Sequence, residues 1–153
     1  LQARYSRRLE DEMSLDPASG SLDRLAGDNG GRAPENVLVE MSAAQGRWSL
    51  NLSARWEAGY RARQTAGQDQ AGDLVLASSS LVDVRLGWTL PLPSSAISAD
   101  TRRSAGGTRV GLAIENLADS RRQARTADGT PAWSGYEIDP VGRVVRLSLS
   151  QRF

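Results

Sequence analysis

The chain has 153 residues, a net charge of +1, a mean hydropathy of −0.43 and only 5% aromatic residues. That is enough for one domain, but no apolar run approaches the ~18 residues a membrane helix needs, and the balanced charge offers no steering field for nucleic acid. Cysteine and histidine are both absent, which excludes disulfide frameworks, thiol chemistry, the commonest metal ligand and histidine acid–base catalysis. The chain opens on Leu1 without a signal peptide, as expected of a processed protein or a piece of a longer one.

Side chains alternate across a strand with period two, and the chain is full of that period. In Leu1 to Glu12, the residues Leu1, Ala3, Tyr5 and Leu9 share a face with Arg7. Such a charge is tolerable on an apolar face only near its rim, where it can snorkel. The run Glu10-Asp11-Glu12 could attract a hard cation, but it lacks a spaced ligand loop and reads as a solvated strand end. Met13 to Glu35, rich in Gly, Asp, Ser and Pro, reads as a long loop. In Asn36 to Ala44, Val37, Val39, Met41 and Ala43 oppose Leu38, Glu40, Ser42 and Ala44. A tight hairpin over Ala44 to Arg47 follows, with Gly46 suited to positive φ.

Arg47 to Arg63 alternates without a break and predicts one strand of about seventeen residues, far longer than the usual five or six. Trp48, Leu50, Leu52, Ala54, Trp56, Ala58, Tyr60 and Ala62 share a face. At ~3.3 Å per residue and a tilt of about 40°, Trp48 to Trp56 and Trp48 to Tyr60 project to roughly 20 and 30 Å. Those spans bracket the ~25 Å apolar band between the aromatic girdles of a membrane barrel. Gln64 to Asp73 reads as a polar loop. Leu81 to Leu92, beginning as early as Leu74, sets Val82, Val84, Leu86, Trp88, Leu90 and Leu92 against Leu81, Asp83, Arg85, Gly87 and Thr89. Pro91 and Pro93 open an intermediate connection to Gly107, because proline cannot sit inside a ladder. Thr108 to Asp119 sets Val110, Leu112 and Ile114 against Arg109, Gly111, Ala113 and Glu115. Ser120 to Gly142 is another long connection. In the terminal segment Arg143 to Phe153, Val145, Leu147, Leu149 and Phe153 oppose Val144, Arg146, Ser148, Ser150 and Arg152.

These segments predict an all-β fold: an antiparallel, up-and-down transmembrane β-barrel segment of about six strands, which would be an open sheet in isolation. Long and short connections alternate as in outer-membrane barrels, the 93–107 connection being longer than a typical inner turn. Trp48, Trp56, Tyr60 and Trp88 are the expected lipid-facing girdle. Arg47, Arg55, Glu57, Asp83, Arg85, Arg109, Glu115 and Arg146 are the expected lumen-facing polar wall, mixed in sign and suited to internal pairing. Phosphate-loop, HExxH and CxxC motifs are absent, so no catalytic residue, cofactor or metal is expected and an enzyme is disfavoured. Two other readings stand: a complete small barrel serving as adhesin or anchor, which needs at least eight strands, and a soluble β-sandwich binding module.

Three features resemble the C-terminal end of TonB-dependent outer-membrane receptors. They are the penultimate strand Gly111-Leu112-Ala113-Ile114-Glu115-Asn116-Leu117-Ala118-Asp119, the stretch Tyr136…Asp139-Pro140-Val141-Gly142-Arg143, and the terminal strand ending on Phe153. Asn116, Leu117 and Asp119 match the family's Asn-Leu-aromatic-Asp stretch, with Ala118 in place of the aromatic. Gln151 replaces the aromatic often found two residues before the terminal Phe. The resemblance covers Thr108 to Phe153 and touches Tyr5-Ser6-Arg7-Arg8. It implies that residues 1–153 are the C-terminal part of a barrel of roughly 22 strands, without its plug domain. The function implied is import of siderophores, cobalamin, sugars or similar nutrients across the cell outer membrane, of which this piece alone is not capable. The implied partners are outer-membrane lipid, the remaining barrel and plug, the energising inner-membrane complex and the barrel-assembly machinery, with Val145, Leu147, Leu149 and Phe153 as the assembly signal. No nucleic acid is implied.

Overall fold

The alternating segments form strands that join into one large antiparallel sheet. The computed structural model describes residues 1–14, 20–91, 107–132 and 142–151. Phe153, Arg152, Leu92, Tyr136 to Val141 and nearly all of the 93–107 connection lie outside the described residues. Among the described residues the strands are β1 (Gln2–Arg7), β2 (Glu12–Ser14), β3 (Ser21–Asp23), β4 (Glu35–Gln45), β5 (Trp48–Glu57), β6 (Tyr60–Ala62), β7 (Leu74–Leu76), β8 (Ser79–Pro91), β9 (Gly107–Glu115), β10 (Ala124–Thr126) and β11 (Val144–Gln151). The described residues hold no α-helix, only a 3-10 turn at Asp28–Gly30. Among the described residues no helix is long and apolar enough to cross a membrane, which says nothing of strands.

The large sheet runs in the order β1-β4-β5-β8-β9-β11, so every strand pairs with its nearest predecessor in the set. All pairs are antiparallel. At one end of the sheet, Gly46 takes φ 59° in the tight β4–β5 turn. From the other end come three long excursions, after β1, β5 and β9, and these build two small sheets: the hairpin β2-β3 and the three-stranded β10-β7-β6. The six expected strands are thus the six of the large sheet, and the connections carry further structure of their own.

Two strand boundaries depart from expectation. The run Arg47 to Arg63 is not one strand. β5 ends at Glu57, and β6 pairs instead with β7, Tyr60 opposite Leu76. The break lies at Gly59, where a Cβ would sit 2.7 Å from the Leu76 carbonyl oxygen. The chain leaves the large sheet there while its alternation continues, because the small sheet also has an inner and an outer face. For the same reason Leu74 to Leu76 is not the start of β8 but the separate strand β7. Met13 to Glu35 is likewise more than a loop, since Met13 and Ser14 pair with Leu22 and Ser21.

Candidate functional site

Register shows how the six strands divide their side chains. Across one face run the rows Ala3–Val39–Ala54–Val82, Leu50–Leu86–Leu112–Leu147 and Leu52–Val84–Ile114–Val145, each set directly opposed on neighbouring strands. This face is apolar over all six strands. Among the described residues none of its side chains is buried: the aliphatic residues of β4, β5, β8 and β9 are half-buried by lateral neighbours or exposed, and Leu147 and Leu149 on β11 are 77% and 74% exposed. Among the described residues the only buried apolar side chains are Ala33 and Leu76, both outside the large sheet.

Aromatics stand at both ends of this face. At the turn end Trp48 lies opposite Trp88, and their rings stack 5.3 Å apart at 10°, a close, favourable pairing of π-faces. At the opposite end Trp56 is opposite Val37, which is opposite Tyr5. Tyr5 therefore joins Trp56 in one row, which the sequence pattern alone had not connected. Tyr60 stands apart from Trp48, Trp56 and Trp88: it belongs to β6, with the Arg122 guanidinium 5.4 Å above its ring. The Arg7 charge on the apolar parity is resolved at the rim, where it pairs with Glu35 at 3.4 Å.

The opposite face carries the expected polar residues, which find partners unequally. Glu115 pairs with Arg146. Asp83 accepts the Asn116 backbone N–H at 2.9 Å. Glu57 is held by Arg122 at 2.7 Å, and Arg122 also donates to the Ser79 hydroxyl at 2.7 Å. Arg47, Arg55, Arg85 and Arg109 make no ion pair among the described residues; Arg47, in the β4–β5 turn, offers only its carbonyl, to Thr89 at 2.9 Å. Gly87 and Gly111 are directly opposed here, with the Ser49 and Ser148 hydroxyls over them. A shallow cavity of about 600 Å³ is lined by Gln2, Glu40, Ser42, Asn51, Ser53, Asp83 and Arg85 among others. No cluster of three metal-ligating side chains exists among the described residues.

The long excursions are locked together by aspartates that sequence reasoning did not single out. Buried Asp28 accepts the N–H of Gly67 at 2.9 Å and of Asp23 at 3.0 Å, and pairs with Arg63 at 3.4 Å. Arg63 also meets Asp69 at 2.8 Å, as does Arg61. Asp73, fully buried, accepts the N–H groups of Gln64 and Gln70, each at 3.0 Å. Backbone bonds from Ala127 to Asp73 and from Ala77 to Gln123, both 2.8 Å, tie the third excursion to the second. The turn signal Gly27-Asp28-Asn29-Gly30-Gly31 marks a bend, but nothing local in it names Gly67 or Arg63 as partners.

These bonds lower the pKa values of the carboxyl groups. Asp28 is held below the usual aspartate range chiefly by the Gly67 N–H, against the opposing cost of burial. Asp69 is lowered by Arg63 and then Arg61, and Asp73 by the N–H groups of Gln70 and Gln64. A carboxyl group lowered on folding contributes stability that is complete above its unfolded pKa, about 3.9, and is lost as pH falls through the folded value. Hydrogen-exchange protection of the Gln64, Gly67 and Gln70 amides should therefore hold from pH 7 to about 4.5 and fall below about 4. Asp28→Asn should lower protection at Gly67 already at pH 7. Protection unchanged down to pH 2 would mean that these carboxylates do not lock the excursions.

No family model, curated protein or solved structure matches this chain.

Proposed function

We propose that this chain supplies six neighbouring strands of an outer-membrane β-barrel, as the C-terminal part of a nutrient receptor of the TonB-dependent kind. One observation carries the reading: an apolar face continuous over six strands, with no buried residue on it among the described residues. Ordering a residue costs about 1–2 kcal/mol of backbone entropy. A soluble sheet recovers that by burying one face, at roughly 1.5–3 kcal/mol per large aliphatic side chain. This sheet has no such burial in itself, and an apolar patch of this extent calls for a cover. Lipid provides it without a second protein layer, and the polar face then lines a wet interior.

The placement of the aromatics supports the same reading. Trp48 and Trp88 at one end and Trp56 and Tyr5 at the other flank a purely aliphatic middle, as girdles flank the apolar band of a barrel. Among the described residues the two outer strands, β1 and β11, each leave one side without a partner strand, and further barrel strands would occupy both positions. The resemblance of Thr108 to Phe153 adds the receptor class: import of siderophores, cobalamin or sugars, with a plug inside the polar wall and an energising inner-membrane complex. On this reading the stripe Val145, Leu147 and Leu149, with Phe153 beyond it, is also what the assembly machinery captures by strand addition.

The test is quenching of tryptophan emission by brominated lipid acyl chains. Single-tryptophan variants retaining Trp48, Trp56 or Trp88 should be quenched strongly in vesicles. Emission untouched by the brominated lipid, from protein that stays soluble without detergent, would replace the barrel with a soluble module.

A further inference from the structure

We infer that the corner Asn116-Leu117-Ala118-Asp119 is a register clamp: it selects, among apolar-matched alternatives, the one alignment in which the terminal strand β11 docks on β9. The need for such a device follows from the sequence. A slip by one residue would turn Val145, Leu147 and Leu149 to the polar face and is forbidden by parity. A slip by two residues that sets Leu149 opposite Leu112 keeps every one of them on the apolar face, with Leu147 then opposite Ile114. The Arg146–Glu115 pair does not discriminate either, because a long arginine reaches a carboxylate from opposite or diagonal positions. Nor can a turn set the register, since the connection from Asn116 to Arg143 is far too long to impose one geometry.

The corner supplies what these lack. Its first residue is anchored backwards onto β8: the Asn116 N–H bonds Asp83 at 2.9 Å, and the Leu117 N–H bonds the Val82 carbonyl at 2.7 Å. The buried Asn116 side chain then closes the turn, accepting from the Ser120 N–H and donating to the Ser120 carbonyl, both at 2.8 Å. Asn116 and Asp119 both take positive φ, 51° and 52°, a conformation Asn and Asp tolerate better than other side-chain-bearing residues. So shaped, the corner aims the Asp119 carboxylate at the entry of β11, where it accepts the Arg143 N–H at 3.0 Å. The approach requires glycine at 142: φ is 64°, and a Cβ would lie 2.8 Å from that same carboxylate oxygen. The clamp therefore grips the backbone one residue before the first β9–β11 pair, Glu115 opposite Val144. A two-residue slip would carry Arg143 N–H out of its reach.

The chain has no cysteine, so introduced pairs report register cleanly. Leu112→Cys with Leu147→Cys reads the native alignment, because these residues are directly opposed. Leu112→Cys with Leu149→Cys reads the slip. In otherwise unchanged protein, assembled in detergent micelles, the first pair should oxidise at least about tenfold more than the second. Adding Asn116→Ala and Asp119→Ala should reduce that ratio by about tenfold, the equivalent of ~1.4 kcal/mol, which one charge-assisted hydrogen bond accounts for. Asp119→Asn, which keeps an acceptor oxygen for the Arg143 N–H, should retain most of the preference. An unchanged ratio in the double alanine variant would overturn the proposal. So would loss of both cross-links together, since the clamp selects register and does not create the pairing.

Discussion

On the barrel reading proposed above, replacing Leu52 with Arg is expected to destabilise the assembled protein by about 2–4 kcal/mol, the depth-dependent cost of a cationic side chain on a lipid face near the midplane. Leu52 sits opposite Met41 on one side and Val84 on the other, in the aliphatic band between the two aromatic rows. It has no carboxylate beside it to pair with an introduced charge. Leu112→Arg, between Leu86 and Leu147, should behave alike. The neighbouring substitution Ser53→Arg is the control. Ser53 points to the polar face between Glu40 and Asp83, and an arginine there should cost little. Guanidinium unfolding of the barrel in vesicles, followed by tryptophan emission, gives the comparison. Equal costs at 52 and 53 would mean that the two faces do not see different solvents.

Gly31→Ala is expected to open the locked excursions while leaving the six-stranded sheet paired. Gly31 has φ 68° and ψ 174°, a region essentially confined to glycine and costing other residues about 1–3 kcal/mol. A Cβ there would also lie 1.9 Å from the Arg61 carbonyl oxygen. That atom is backbone at the start of the segment in which Arg61 and Arg63 hold Asp69, so it cannot swing aside as a side chain would. The excursion must move away, and Asp28 loses its approach to Arg63 and Gly67. Gly20→Ala separates the two causes: Gly20 also has positive φ, 76°, but no atom within 4 Å of the added carbon. Hydrogen exchange should accelerate over residues 60–73 in Gly31→Ala alone, with β4 and β5 unchanged. Acceleration of equal size in both variants would assign the effect to backbone strain and not to the Arg61 contact.

The positions of the six long strands and the division of their side chains were readable because a period of two is a local property, visible in any window of five or six residues. Trp48 and Trp88 could be assigned to one face from parity alone; that they stack depends on the β5–β8 register. The end of β5 was not readable. Alternation runs unbroken through Ala58, Tyr60 and Ala62, and only the close approach of the β7 backbone at Gly59 shows that the chain has changed sheets. The same limit hid the locked excursions. Asp28 and Arg63 are 35 residues apart, and Arg122 and Glu57 are 65, so their roles depend on which loops the large sheet brings to one end.

Asn116 and Asp119 show the division most plainly. As a sequence, Asn-Leu-Ala-Asp after an alternating run marks the end of a strand and carries a family resemblance. What the corner grips was decided by the fold, because Asp83 and Arg143 meet it only once β8, β9 and β11 lie side by side. Local alternation determined strands, faces and the apolar stripe; long-range pairing alone determined register, the aromatic rows, and which of many charged side chains have a partner. The physical reason is that period and propensity act over a few residues, whereas an ion pair or a ladder requires two distant segments to be held within hydrogen-bonding distance.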